Sequence, residues 1–258
     1  MFKKLLFFVI LLTSLVTQAE TIVLKEDNTV SFSGKVDGGS VTRAMLDIQR
    51  LNELDSNEPI YLVLNTPGGS IIDGMDFIRF AKTSRRQIVT VTIFAASMGF
   101  QIVQSLPGKR LIAEYGVLMS HRAAVSSVGG QFPGELNVRV DFLAQISEEL
   151  DVVAAKRSGI SPEEYQGLIH DEYYATPKKA LRDRFADEKA DLACDKSLSG
   201  TYTQEFDSLF GPIVAEFSKC PLITSPISVQ FKAPSEQNKN QNASAVYNTM
   251  NKVLNVTK

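Results

Sequence analysis

Twice between Pro59 and Ser105 an apolar run ends in a turn of small residues and gives way to helical periodicity. PIYLVL leads into Asn65-Thr66-Pro67-Gly68-Gly69-Ser70 and then SIIDGMDFIRFAK, with Ile71, Met75 and Ile78 on one helical face. QIVTVTIF leads into Ala95-Ala96-Ser97 and then MGFQIVQS. Runs rich in β-branched residues read as strands, and the i, i+4, i+7 spacing after each turn reads as a helix. A repeated strand-turn-helix plan implies an α/β domain. The flanking segments agree with it. TIVL and TVSFSG are β-like, and the stretch from Ser40 aligns Val41, Met45, Ile48 and Leu51. Arg110 to Ala113 and Val117 to Ser120 read as two strands. A long helix is expected from about Glu135 to Arg157, with Leu136, Val140, Leu143, Leu150 and Val153 as its apolar stripe. Ser161-Pro162-Glu163-Glu164 carries a capping serine, a proline at the first helical position and a glutamate at the third, which opens a further helix.

Ser97 stands where a strand hands over to a helix, so free backbone N–H groups and the positive end of a helix dipole converge on it. That placement suits a nucleophile, and it equally suits a simple N-cap. A serine nucleophile needs a base to take its proton. The chain has only two histidines. His121 closes the apolar run VLMSH at a strand end, and His170 lies beside Asp171. An extended segment would turn the side chains of His170 and Asp171 to opposite faces, which favours His121 as the base.

Bulk properties narrow the partners. A formal charge of −2 gives no electrostatic footprint for nucleic acid. Lys3 and Lys4 precede LLFFVILLTSLV, and Thr17 and Ala19 are small residues at −3 and −1 of a cleavage point, so residues 1–19 read as a secretory signal. The apolar run is shorter than a membrane span, so no span is expected after cleavage, and the mature chain is expected in the periplasm or outside the cell. Cys194 and Cys220 form an even pair in an exported chain, which favours a disulfide over a metal site. The expected boundaries are a domain over 20–193 and an extension over 194–258. In the extension, residues 233–245 form an Asn/Gln-rich linker, and Val246, Met250 and Val253 stand at helical spacing.

Four pieces then fall in one order: Asn65-Thr66-Pro67-Gly68-Gly69-Ser70, Ala96-Ser97-Met98-Gly99, Met119-Ser120-His121, and Asp171 followed by Pro177 and Ala180. From about Leu24 to Ala190 the chain resembles the Clp protease proteolytic subunit, the ClpP family of serine peptidases. The resemblance implies a ClpP/crotonase-like spiral of strand-turn-helix units with a long protruding helix, here followed by a polar C-terminal extension. It implies Ser97 as nucleophile, His121 as general base, Asp171 as the carboxylate that orients the imidazole, and the N–H groups of Gly68 and Met98 as oxyanion donors. Gly69 and Gly99 are expected to serve turn and packing geometry. The Ser, His, Asp order along the chain differs from that of chymotrypsin, subtilisin and the α/β-hydrolases.

The resemblance further implies a cofactor-free, metal-free endopeptidase, assembled as a homo-oligomeric ring. Its substrate would be an extended peptide or unfolded segment lying as an added strand near residues 122–132. Three departures bear on this. Arg122-Ala123 replaces the usual Gln-Pro after the base, the loop before Gly129-Gly130 is longer, and Glu172 stands where an arginine of the ring-stacking contacts is common. An exported member would also work without a cytosolic ATPase. The rival readings are a catalytically silent scaffold, an acyl-CoA enzyme of the crotonase type, and a signal peptide peptidase A relative with a serine-lysine dyad. The presence of Ser97, His121 and Asp171 disfavours all three.

Overall fold

The computed structural model describes residues 21–124, 131, 134–206 and 212–231. The expected signal segment, Gly129-Gly130, the linker and the tail with Val246, Met250 and Val253 lie outside the described residues. Strands β1 (Ile22–Leu24) and β2 (Thr29–Ser33) precede helix α1 (Gly38–Glu53). Strand β3 (Ile60–Thr66) leads into α2 (Ile71–Ala81), and β4 (Ile88–Ala96) leads into α3 (Met98–Ser105). Then follow β5 (Arg110–Ser120), α4 (Gly134–Ser158), α5 (Pro162–Leu168), β6 (Tyr173–Ala175), α6 (Pro177–Arg182), β7 (Glu188–Ala190) and β8 (Leu192–Cys194). Strands β9 (Thr201–Phe206), β10 (Ile213–Ser218) and β11 (Ser228–Phe231) end the described chain.

The expected α/β architecture is present. Strands β2, β3, β4 and β5 lie side by side in parallel, as helical crossovers require. Strand β5 runs unbroken where two strands were expected. It bends at Tyr115, whose φ is 62°, and its register on β4 slips between Thr92 and Phe94. The bend lets the two halves take different neighbours: Leu111 to Ala113 pair with β7 in parallel, and Leu118 to Ser120 pair with β6 antiparallel.

Side chains alternate across β3, so one strand feeds two cores. Ile60, Leu62 and Leu64 pack with Ile48, Leu51 and Phe77 of α1 and α2. Val63 faces the other way, into a cluster with Val91, Leu111, Leu24, Leu198 and Cys220. The helices therefore cover one face of the sheet, and the C-terminal extension covers part of the other. There β8 pairs with β1, a disulfide joins Cys194 to Cys220 across a Cα separation of 5.9 Å, and β9, β10 and β11 form a small antiparallel sheet.

Helix starts follow the sequence signals. The Asp37 carboxylate accepts from Ser40 N–H at the head of α1, and Ser161 and Glu164 form the expected reciprocal cap of α5. Helix α4 departs from expectation. Its buried residues are Ile146, Asp151, Ala154, Ala155 and Ser158, while Val140 and Val153 are exposed. Apolar residues occur all round this helix, so periodicity did not pick the buried face, and the small Ala154, Ala155 and Ser158 mark it instead. Among the described residues, no helix is long and apolar enough to cross a membrane.

Candidate active site

Strand β4 ends at Ala96 and α3 begins at Met98, which leaves Ser97 alone in the turn with φ 55° and ψ −119°. A non-glycine residue held there stores roughly 1–3 kcal/mol of strain that its surroundings must offset. The neighbouring strand supplies part of the restraint, because Ser97 N–H donates to the Met119 carbonyl at 2.9 Å. Ser97 occupies the N-cap position of α3, yet its side chain makes no capping hydrogen bond. Its Oγ lies 2.8 Å from His121 Nε2. The parallel register of β4 on β5, Ala96 opposite Met119, brings the two strand ends level, so residues just beyond each strand meet.

Gly68 completes this corner. Its φ of 89° suits glycine, and a Cβ there would sit 2.6 Å from both the Ala96 carbonyl oxygen and Ser97 Cβ, and 2.9 Å from Met98 N. Its N–H donates to Thr66 Oγ1 at 3.1 Å. Met98 is the first residue of α3, so its N–H has no intrahelical acceptor and stands at the positive end of the helix. Gly69 and Gly99 take the packing roles expected of them. Gly69 is bridged to Val36, whose carbonyl oxygen would lie 2.3 Å from an added Cβ, and Gly99 is closed off by Thr66 Cγ2 at 2.5 Å.

The structure does not bring Asp171 to His121. The Asp171 side chain is 92% exposed and accepts from His170 Nδ1 at 2.7 Å. The expectation that neighbours must diverge assumed an extended segment, but His170 and Asp171 lie in a turn, where adjacent side chains can meet. The β5–β6 ladder ends at Ser120 and Tyr173, so His121 and Glu172 each stand one residue beyond its last pair, and Glu172 carries a positive φ of 74°. Two carboxylates downstream are engaged elsewhere: Asp183 accepts from Tyr173 Oη at 2.9 Å, and Asp187 binds Arg110.

A buried polar chain behind the pair had no counterpart in the sequence reading. Ser120 Oγ and Tyr165 Oη are 2.7 Å apart, and Gln101 Nε2 donates to Tyr165 Oη at 3.3 Å and to Asp151 Oδ1 at 3.4 Å. It links the residue before His121 to the helix that starts after Ser97. Burial pushes the Asp151 carboxyl up to about 6 against the opposing Gln101 hydrogen bond, and burial likewise raises the Tyr165 phenol. The available signal was a pair of glutamines in an otherwise apolar helix, Gln101 and Gln104, both buried. Among the described residues, no group of three or more His, Cys, Asp or Glu is placed to hold a metal ion.

A family model for Clp protease matches residues 16–190. The chain is similar to the ATP-dependent Clp protease proteolytic subunit of Streptococcus gordonii, 26% identical over 167 residues that make up 64% of this chain and 85% of the relative. The protein of the same description from Streptococcus pneumoniae, strain Hungary19A-6, matches to the same extent, 26% over 167 residues.

Proposed function

Because the chain belongs to the Clp protease family, we propose that it is a serine endopeptidase that cleaves extended peptides or unfolded segments through an acyl-enzyme. The contact between Ser97 Oγ and His121 Nε2 carries this reading, on a serine whose backbone is held strained at a helix start. Ser97 Oγ attacks the scissile carbonyl carbon while its proton passes to His121 Nε2. The oxyanion so formed is held by N–H of Met98 and by N–H of Gly68, which leaves Thr66 Oγ1 to do so. Collapse breaks the C–N bond, and His121 returns the proton to the leaving amine. Water then attacks the ester, gives its proton to His121, and releases the acid as Ser97 recovers its hydrogen. The carboxylate that orients the imidazole comes from the Asp171-Glu172 turn.

The secretory-type N-terminus supports export to the periplasm or beyond, and hence action without an ATPase partner. Val138 and Phe142 of α4 are 68% and 52% exposed, and such apolar surface supports assembly into a homo-oligomeric ring through this helix. Labelling the purified protein with a fluorophosphonate, followed by peptide mass mapping, tests the chemistry. The expected result is a single adduct on Ser97 that disappears in Ser97→Ala. Absence of an adduct from mildly acid to alkaline pH would instead make the protein a silent scaffold.

A further inference from the structure

A cleft of about 520 Å³ is walled by Arg122 and Ala123, which directly follow His121, by Ser147, Glu148 and Asp151 of α4, and by Gln166 of α5. Asp151 is the unusual member. It is only 8% exposed, yet the one hydrogen bond it makes among the described residues is the 3.4 Å contact from Gln101. A carboxylate offers about four acceptor positions, and a buried one is ordinarily paired. Gln101 adds to the shortage of donors, since its Oε1 is buried without a partner among the described residues. Tyr165 Oη accepts from Gln101 Nε2 and pairs with Ser120 Oγ, so its single hydrogen serves neither acceptor.

We propose that this cleft is a subsite for a cationic side chain, lysine or arginine, of the peptide substrate, with Asp151 as its counter-charge. An ammonium or guanidinium brings the donors that Asp151 and Gln101 Oε1 lack, at the end of a long aliphatic stem. The inference rests on the peptidase reading and narrows its substrate to peptides with a basic residue near the scissile bond. The charged and titratable groups around Asp151 are Glu148 on its own helix, Arg122 after β5 and Tyr165 on α5, while α3 presents the neutral Gln101. Glu148 reinforces cation binding and Arg122 opposes it. Burial also lifts the Asp151 carboxyl to about 6, so a bound cation stabilises the ionised form and affinity should rise with pH through that region and then level off.

The test uses the full-length mature protein carrying Ser97→Ala, which binds without turnover, and two labelled extended peptides that differ only in lysine against norleucine. Fluorescence anisotropy at pH 7.5 should show the lysine peptide binding about tenfold tighter or more, with the advantage shrinking below pH 6 and vanishing when Asp151→Asn is added. Arg122→Gln gives a second reading that does not depend on altering the buried site, and it should widen the lysine advantage. Equal or tighter binding of the norleucine peptide, an advantage that survives Asp151→Asn, or no widening with Arg122→Gln overturns the subsite. Fluorophosphonate labelling of the wild type separates the two ideas. An adduct without lysine preference leaves a peptidase of another specificity, and lysine preference without an adduct leaves a peptide-binding scaffold.

Discussion

Gly68 is pressed against Ser97 so closely that a methyl group on the glycine would stand 2.6 Å from the serine Cβ. Gly68→Ala must therefore push the serine aside, and it also places a side chain at φ 89°. The expected outcome is a folded protein, with a far-ultraviolet circular dichroism spectrum like the wild type, whose hydrolysis of a small peptide ester falls at least about a hundredfold, the cost of losing one oxyanion donor. Near-wild-type hydrolysis would remove Gly68 from the site.

How far such a corner can be read from sequence depends on how local its causes are. The β3-α2 and β4-α3 units were legible because alternation, small-residue turns and capping residues all act within a few positions. The nearness of Ser97 and His121 was also legible, as two strand ends in one sheet. What escaped depends on distant partners. The turn that pairs His170 with Asp171 is set by where β6 docks on β5, 50 residues upstream in the case of Ser120. Tyr115 and Gly116 interrupt β5 in sequence without ending it, because the sheet continues on both sides of the bend. Strands β9 and β11 are mostly exposed, so no buried alternation announced them.

The disulfide ties the extension to the main domain, since Cys194 ends the strand paired with β1 and Cys220 lies in the second core cluster. Thiol titration of the unfolded, unreduced protein should find no free cysteine. The Cys194→Ser, Cys220→Ser variant should lose roughly 3–4 kcal/mol in urea unfolding, from the loop-closure entropy returned to the unfolded chain. Full stability in that variant would mean that the extension contributes little to the fold.

Among the described residues, Arg110 and Asp187 form the most buried ion pair, with side chains 4% and 33% exposed and an Nη2 to Oδ1 distance of 2.6 Å. Arg110 also donates to Gln104 Oε1 at 2.6 Å, so the pair fastens β5 to α3 and to the turn before β7. Burial pushes the Asp187 carboxyl up, but the hydrogen bonds and charge of Arg110 outweigh it and hold the group below its ordinary value. A depressed carboxylate stabilises the fold above its unfolded value of about 3.9 and loses that contribution as pH falls through and below it. Asp187→Asn should cost about 2–3 kcal/mol at pH 7, toward the low side for a buried pair because Asp187 is partly solvated. Urea midpoints of wild type and variant should converge as the pH approaches 3. A constant gap would assign the loss to packing rather than charge.

Glu172 and Asp171 compete for the role of orienting His121, and their surroundings separate them. Asp171 is turned outward onto His170, whereas Glu172, like His121, stands one residue beyond the last β5–β6 pair, Ser120 and Tyr173. The positive φ of 74° at Glu172 is a second sign, since strain at a residue beside the reacting pair calls for a local purpose. Glu172→Gln should therefore lower hydrolysis by two or more orders of magnitude, by analogy with the roughly 10⁴-fold cost of a wrong tautomer at a buried triad aspartate, reduced because Glu172 is exposed. Asp171→Asn should lower it by less than about tenfold, and Glu172→Asp should recover part of the rate. A merely structural glutamate would cost rate only through lost stability, so urea unfolding of Glu172→Gln should match the wild type while its hydrolysis falls. A larger loss in Asp171→Asn, with urea stability unchanged, would return the role to Asp171 and require the turn to swing inward when substrate binds.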